Sequence, residues 1–217
     1  MKEQYFSPAS IERKAEELCQ PFEKQRRKRL QRFSPKHSAL LVLDMQSYFL
    51  EAGSHAWVPS AEAIIPGIRA LVQAYGRNNL PVIFTRHLNT PDNAGMMKTW
   101  WKELIRAENP LSEITPALDL SSGRVVNKSQ YDAFYDTPLE EMLQGRGVTQ
   151  VVICGVMTHL CCETTARSAF MRGYEVYFTV DGTASYNENF HRASLLNLSH
   201  GYATLALVKE ILQGFVE

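Results

Sequence analysis

The chain has no excess of charge of either sign, because 23 lysines and arginines balance 23 aspartates and glutamates among its 217 residues. This neutrality removes the overall electrostatic attraction that favours binding to nucleic acids or anionic lipids. No apolar run approaches the roughly 20 residues that span a bilayer, and the opening MKEQYFSPAS contains no apolar stretch typical of a secretion signal. We therefore expect a cytoplasmic protein, with no nucleic-acid or membrane partner, that acts on a small molecule.

Cysteine is scarce as well, and the four in the chain are Cys19, Cys154, Cys161 and Cys162. An adjacent pair in a domain of this size differs from the evenly spaced cysteines of small secreted scaffolds, so we expect reduced thiols. No Gly-rich phosphate loop or dinucleotide fingerprint follows the first apolar run, which disfavours nucleotide cofactors. The 45% of hydrophobic residues is nevertheless enough for a sizeable core.

Short apolar runs alternate with segments of helical period from residue 38 onward. The runs predict strands over 38–44, 80–86, 123–128, 149–155, 174–181 and 203–208. The segments between them predict helices over 60–78, 137–146, 160–172 and 188–200. Runs that are apolar throughout are typical of parallel strands covered on both faces, so the pattern predicts an α/β three-layer sandwich with a mostly parallel six-stranded sheet. The long connection over 87–122 is expected to form a wall or lid of the site.

Residues 8–33 predict an extra N-terminal helix outside the main fold. Its basic run KQRRKR could contact nucleic acid or a membrane, but several glutamates lie just upstream. These charges favour a solvated helix face or a subunit-packing arm. We therefore expect an N-terminal helical extension over 1–36, followed by one α/β domain over 37–217.

Three polar residues follow or end apolar runs at the predicted carboxyl edge of the sheet, where parallel sheets bind ligands. They are Asp44, Lys128 and Cys161. A thiol in the first turn of a helix faces unpaired N–H groups and the positive end of the helix dipole, which favour thiolate. Asp44 could take the thiol proton while Lys128 stabilises the thiolate. The alternative is that Asp44 and Lys128 only pair with each other and that Cys161 is a small buried residue.

Four ordered segments carry a resemblance to a known family. They are LLVLDMQSYFL (40–50), VVNKSQYDAFYDTPLEEML (125–143), VVICGVMTHLCCETTARSAFMRGYEV (151–176) and VDGTAS (180–185). Together they resemble the isochorismatase-like hydrolases, a superfamily that includes nicotinamidases, N-carbamoylsarcosine amidohydrolase, other cysteine hydrolases and the isochorismatases proper. The resemblance covers 38–213, and it implies a homodimer or homotetramer.

The resemblance also implies roles for individual residues. In the cysteine branch of the family, an Asp, a Lys and a Cys in a G-V-x-T-x-x-C turn form a catalytic triad, which here would be Asp44, Lys128 and the Cys161 of GVMTHLC. The family has a cis peptide in this turn, which would fall directly before Met157. Its turn aims two backbone N–H groups at the substrate's carbonyl oxygen, so the Met157 and Cys161 amides would form the oxyanion hole.

Four more residues are substrate-pocket candidates: Gln46, Phe49, His87 and His159. For Gln46 and both histidines, a purely structural role is the alternative. Nicotinamidases of the family hold a divalent ion with an Asp-x-His and a further His after the second strand, whereas this region offers only His87 and Asp92. Two ligands without a third make a poor metal site, so we expect no catalytic metal and no cofactor. This also makes nicotinamide a less favoured substrate.

The resemblance leaves two reaction types open. Isochorismatases proper usually have Gly at the position of Cys161, because their Asp cleaves a vinyl ether without a covalent intermediate. THLCCETTARSAFMR nevertheless looks closer to isochorismatases than to nicotinamidases. A nucleophilic thiol is needed only for amide or ureide cleavage through a thioester, which is therefore the first hypothesis. The alternatives are isochorismatase-type hydrolysis by Asp44 without the thiol, and a non-catalytic assembly module.

Cys162, next to Cys161, is expected to pack in the fold. Successive residues of a helix point about 100° apart, so only one of the two adjacent cysteines can face the site.

Overall fold

The computed structural model describes residues 1–101 and 103–216, and its centre is a six-stranded sheet. The strands are β1 (Ser38–Leu43), β2 (Val82–His87), β3 (Arg124–Lys128), β4 (Gln150–Val156), β5 (Glu175–Ala184) and β6 (Thr204–Ala206). They lie in the order β3-β2-β1-β4-β5-β6, and every neighbouring pair is parallel. The predicted α/β fold is confirmed. The uniformly apolar runs reflect burial on both faces of the sheet, since every residue of β1 and β4 is buried.

Helices cover both faces of this sheet. They are α1 (Ile11–Cys19), α2 (Glu23–Leu30), α3 (Ser47–Leu50), α4 (Ala61–Arg77), α5 (Met97–Trp100), α6 (Leu139–Gln144), α7 (Glu163–Met171), α8 (Glu188–Gly201) and α9 (Val208–Gln213). The β1–β2 and β4–β5 connections run in opposite directions, so right-handed crossovers place α4 and α7 on opposite faces. Within the described part of the chain, every helix is too short or too polar to cross a membrane.

The N-terminal region differs from its prediction. Instead of one helix, the chain forms α1 and α2 with a 3-10 turn at Gln20–Phe22 between them, where Pro21 has no N–H to continue the α-helix. The region does not stand outside the main fold, because Leu18 and Cys19 belong to the same buried core as the sheet. The basic run is also partly internal, since Arg26 is buried and its Nη1 lies 2.7 Å from the Glu210 carboxylate of α9.

The central strands β1 and β4 lie side by side, and the chain leaves them in opposite directions. The carboxyl ends of such a pair form the crevice in which α/β sheets bind ligands. Gly155 allows the close approach of the two strands there. Its φ is +115°, and a Cβ at this position would lie 2.0 Å from the Leu43 carbonyl oxygen. A side chain would therefore displace the end of β1, which directly precedes Asp44.

Candidate active site

Three strand ends bring the predicted triad together. Asp44 follows β1, Lys128 is the last residue of β3, and Cys161 lies in a π-helical turn, Thr158–Cys162, after β4. Lys128 Nζ lies 2.8 Å from Asp44 Oδ2 and donates a hydrogen bond to Cys161 Sγ at 3.3 Å. The thiol and the carboxylate thus contact the same ammonium group.

Asp44 is held by its backbone and by a threonine of the neighbouring strand. Its φ of +51° lies in the left-handed region, which Asp adopts more readily than most residues. Thr85 Oγ1 donates to Asp44 Oδ1 at 2.6 Å and accepts from the Asp44 N–H at 3.0 Å. Among the described residues, no hydrogen bond of acceptable geometry reaches Oδ2, although Lys128 lies beside it as an ion-pair partner. Oδ2 is therefore the oxygen that can accept a proton from the thiol.

Burial and the neighbouring charges shift the pKa values of Asp44 and Cys161 in opposite directions. Burial alone would raise the pKa of Asp44, but the Lys128 ammonium, His87 and the hydrogen bonds from Cys161 and Lys128 together hold that pKa below its usual value. Burial, together with the Asp44 charge, raises the pKa of the Cys161 thiol well above its usual value. Desolvation and the nearby carboxylate therefore favour the neutral thiol over the thiolate at rest. These shifts favour a site with a carboxylate at Asp44, an ammonium at Lys128 and a neutral thiol at Cys161.

Both ring nitrogens of His87 have partners in the site. Nδ1 accepts a hydrogen bond from Lys128 Nζ at 3.3 Å, and Nε2 donates to Asn89 Oδ1 at 2.9 Å. Burial, with a contribution from Lys128, lowers the pKa of His87 to about 4, so the ring is neutral at pH 7. His87 thus helps to hold the ammonium in place while it lines the pocket.

Gln46 has a bracing position. Its Oε1 accepts from the His87 backbone N–H at 2.8 Å, and its Nε2 donates to the carbonyl oxygens of His87 and Ser112 at 3.1 and 2.7 Å. These bonds tie the end of β2 to the connection that follows it. The structure therefore places Gln46 behind the site rather than at its surface.

A divalent cation does not fit among Asp44, His87 and Cys161. Ligand atoms of Asp44, His87 and Cys161 lie within 4.8 Å of one another, which by distance alone could define a metal site. However, Lys128 Nζ lies within 3.3 Å of all three, so its ammonium occupies the place that a cation would take. Asp92, the other ligand considered from the sequence, is exposed on a loop.

A pocket opens above Cys161, and aromatic side chains form much of its wall. They are Tyr48, Phe49, Trp101, Tyr131 and Tyr186. Trp101 Nε1 donates to the Tyr131 hydroxyl at 2.8 Å, which fixes two of these rings. The predicted wall over 87–122 supplies Trp101 and several apolar neighbours, while Lys102 lies outside the described residues. Neither Gln46 nor His159 is among the described residues that line this pocket.

His159 instead lies in the π-helical turn with its ring packed away from the pocket. Its Nδ1 lies 2.6 Å from Ser185 Oγ, and its ring stacks on Phe190 with centroids 4.3 Å apart.

The two adjacent cysteines have different surroundings. Cys162 is completely buried, as packing in the fold requires, whereas Cys161 lines the pocket. The peptide bond before Met157 is cis, at the position that the family resemblance implies.

A polar cluster at the pocket was not found from the sequence. Glu103 Oε1 accepts from the Tyr48 hydroxyl at 2.7 Å and lies 2.9 Å from His55 Nδ1. Tyr48 lies in the segment 40–50 that carries the family resemblance, but Glu103 and His55, like Thr85 and Asn89, lie in segments without a distinctive motif. No sequence signal identifies them, because only the folded chain brings them beside the site.

Comparisons with known proteins find similarity in both sequence and overall fold. A family model described as the isochorismatase domain matches residues 38–210. Nicotinamidase 3 of Arabidopsis thaliana is 39% identical over 175 residues, which cover 78% of this chain and 84% of that protein. Enterobactin synthase component B of Escherichia coli (strain K12) is 32% identical over 186 residues; this covers 83% of this chain but 64% of the longer protein. The crystal structure of a cysteine hydrolase from Pseudomonas syringae pv. phaseolicola 1448A has a TM-score of 0.81 at 26% identity, covering 85% of this chain and 94% of that chain.

Proposed function

Because this chain belongs to the isochorismatase family of hydrolases, we propose that it hydrolyses a C–N bond of a small amide or ureide through a thioester on Cys161. One observation carries the proposal: the buried Lys128 ammonium contacts both the pocket-lining Cys161 thiol and the Asp44 carboxylate. Oδ2 of that carboxylate is available to accept the proton of the thiol. A thiol in this arrangement can act as a nucleophile, because the base and its counter-charge are already in contact.

The chemistry follows from the positions of the groups. As Cys161 Sγ attacks the carbonyl carbon, Asp44 Oδ2 accepts the thiol proton, and the backbone N–H groups of Met157 and Cys161 stabilise the oxyanion. Asp44 then protonates the departing amine, leaving an acyl thioester that water hydrolyses to the acid and the free thiol. Lys128 keeps the charge of the site balanced throughout. Each oxyanion donor contributes roughly 3 to 4 kcal/mol to the barrier reduction, so the position of the turn is decisive.

The pocket favours a flat aromatic substrate. Five aromatic side chains form its wall, and the curated relative at 39% identity is called a nicotinamidase. The sequence argument against nicotinamide depended on a missing metal site, but stacking on aromatic walls provides ring recognition of a different kind. An aromatic carboxamide such as nicotinamide is therefore the first substrate to test.

A second candidate is isochorismatase-type hydrolysis, which the match to the isochorismatase domain supports. In that reaction, Asp44 would act as an acid on a vinyl ether without help from the thiol. The Lys128 ammonium disfavours it, since it holds the pKa of Asp44 low and keeps the carboxyl group ionised at neutral pH. The thiol-dependent reaction is therefore the better supported of the two.

The decisive experiment measures ammonia release from nicotinamide and from small ureides, and pyruvate release from isochorismate. We expect ammonia release that Cys161→Ala abolishes and that Cys162→Ala retains, because only Cys161 lines the pocket. Mass spectrometry of the acid-quenched protein should show an acyl group on Cys161 during turnover. Pyruvate release that survives Cys161→Ala would instead identify the second candidate as the activity.

We also propose that the protein forms a homodimer or homotetramer. Met96 and Trp100 are 71% and 73% exposed beside the pocket wall, and burying them would stabilise an assembly. Light scattering coupled to size-exclusion chromatography tests this proposal, and a monomer at micromolar concentration would contradict it.

A further inference from the structure

The first residues of the chain lie outside the family match over 38–210, yet they reach the site. Tyr5 is only 8% exposed. The backbone N–H groups of Tyr5 and Phe6 both donate to Ser60 Oγ, at 3.0 and 3.1 Å, which fixes this segment at the start of α4. The Tyr5 hydroxyl accepts from the backbone N–H of Ser185 at 2.9 Å. The phenol group is therefore held in one position inside the protein.

A histidine joins Tyr5 to the catalytic turn. His191 Nδ1 lies 3.0 Å from the Tyr5 hydroxyl and 3.0 Å from Thr158 Oγ1, and both His191 and Thr158 are completely buried. Burial lowers the pKa of His191 to about 3, so the ring is neutral, and its Nδ1 lies within hydrogen-bond distance of both hydroxyls. Thr158 begins the π-helical turn that contains Cys161 and directly follows Met157.

Neighbouring N-terminal residues contact two walls of the pocket. Lys2 Nζ donates to the His55 carbonyl oxygen at 2.5 Å, and the Glu3 N–H donates to the Tyr186 carbonyl oxygen at 2.7 Å. Both His55 and Tyr186 line the pocket. The N-terminal segment therefore supports the site at the turn and at its wall.

We propose that Tyr5 is a positioning residue, which acts through His191 on Thr158 to hold the catalytic turn in its productive position. The inference rests on the proposed function, in which that turn supplies the nucleophile and the oxyanion donors. The hydroxyl group is the essential feature, because a phenylalanine would retain the ring contacts with Phe6 and His191 but lose the hydrogen bonds.

Tyr5→Phe tests the proposal, with Tyr75→Phe as its matched control. The Tyr75 hydroxyl is also buried and lies 2.7 Å from Ser38 Oγ, at the amino end of β1 and thus at the opposite end of the sheet from the site. Each variant loses one buried tyrosine hydroxyl, so both are expected to lose stability. We expect Tyr5→Phe to lower kcat by about tenfold or more, with KM nearly unchanged, because small displacements of catalytic groups reduce rates strongly. Tyr75→Phe should leave kcat unchanged.

A second readout does not depend on turnover. We expect iodoacetamide to alkylate Cys161 several-fold more slowly in Tyr5→Phe than in the wild type, with the wild-type rate retained in Tyr75→Phe. Failure of the wild type to hydrolyse any amide or ureide would reject the proposed function, whereas the alkylation comparison would still decide the role of Tyr5. Equal alkylation rates and equal kcat values in the two variants would overturn that role.

Discussion

Lys128 Nζ lies 2.8 Å from Asp44 Oδ2, and neither side chain has any exposure to solvent. The burial of both charges is costly, and each compensates the other only while the partner is present. The same ammonium contacts Cys161 and His87, so its position also determines the charges around the thiol. The ion pair between Lys128 and Asp44 therefore stabilises the folded protein and also sets the charges around Cys161.

Loss of the lysine charge should destabilise the protein strongly. We expect Lys128→Met to lower the free energy of unfolding by about 3 to 5 kcal/mol, because it leaves a buried carboxylate without a counter-charge. Urea denaturation at pH 7 measures this change. Lys209→Met is the control, since Lys209 pairs with Glu16 at an exposed position where removal of the charge has little effect. Equal stability of the two variants would contradict a compensating role for Lys128.

Buried histidines should make the protein less stable as the pH falls from 7 to 5. Burial lowers the pKa of His87 to about 4 and that of His191 to about 3, and the half-buried His159 also has its pKa lowered to about 4 by desolvation. Below pH 6.5 the unfolded chain binds protons at these residues while the folded protein does not, so the free energy of unfolding decreases as the pH falls. Urea midpoints at several pH values measure the slope. The slope of the free energy of unfolding against pH should become shallower in His87→Gln. The slope should stay unchanged in the control His200→Gln, because His200 is exposed.

Gly155 should tolerate no side chain. In Gly155→Ala the new Cβ would meet the Leu43 carbonyl oxygen at 2.0 Å, so we expect a loss of about 3 kcal/mol or more and loss of turnover. Gly173→Ala is a matched control, because Gly173 also has a positive φ, +88°, but has open space around it. That variant should lose only about 1 to 2 kcal/mol from its backbone conformation. Thermal and urea denaturation compare the two, and equal losses would argue against the steric explanation.

Adjacent tryptophans should have different effects on substrate binding. Trp101→Phe removes the hydrogen bond to the Tyr131 hydroxyl that fixes two walls of the pocket, so we expect KM to rise about fivefold. Trp100→Phe is the control, because Trp100 is exposed and is not among the described residues that line the pocket. Steady-state kinetics with the identified substrate separate kcat from KM. A change in kcat alone would show that Trp101 acts on the chemistry instead.

The local pattern of the sequence predicted the strands because burial on both faces requires apolar residues at every position. The strands predicted from uniformly apolar runs are therefore confirmed for β1 and β4, and so is the parallel sheet that these runs indicated. The predicted N-terminal helical segment is present, but Pro21 divides it into two helices, and its attachment through Arg26 and Glu210 depends on residues far apart in sequence.

The sequence alone determined the family and the residue types available at the carboxyl edge of the sheet, since motifs and apolar periodicity are local properties of the chain. Only the tertiary structure decided how those residues behave. The neutral thiol of Cys161, the position of Gln46 behind the pocket and the link from Tyr5 to Thr158 depend on distances between remote segments and on the solvent that folding removes. Desolvation and through-space charge act only after the chain has folded, and the order of residues does not encode them directly.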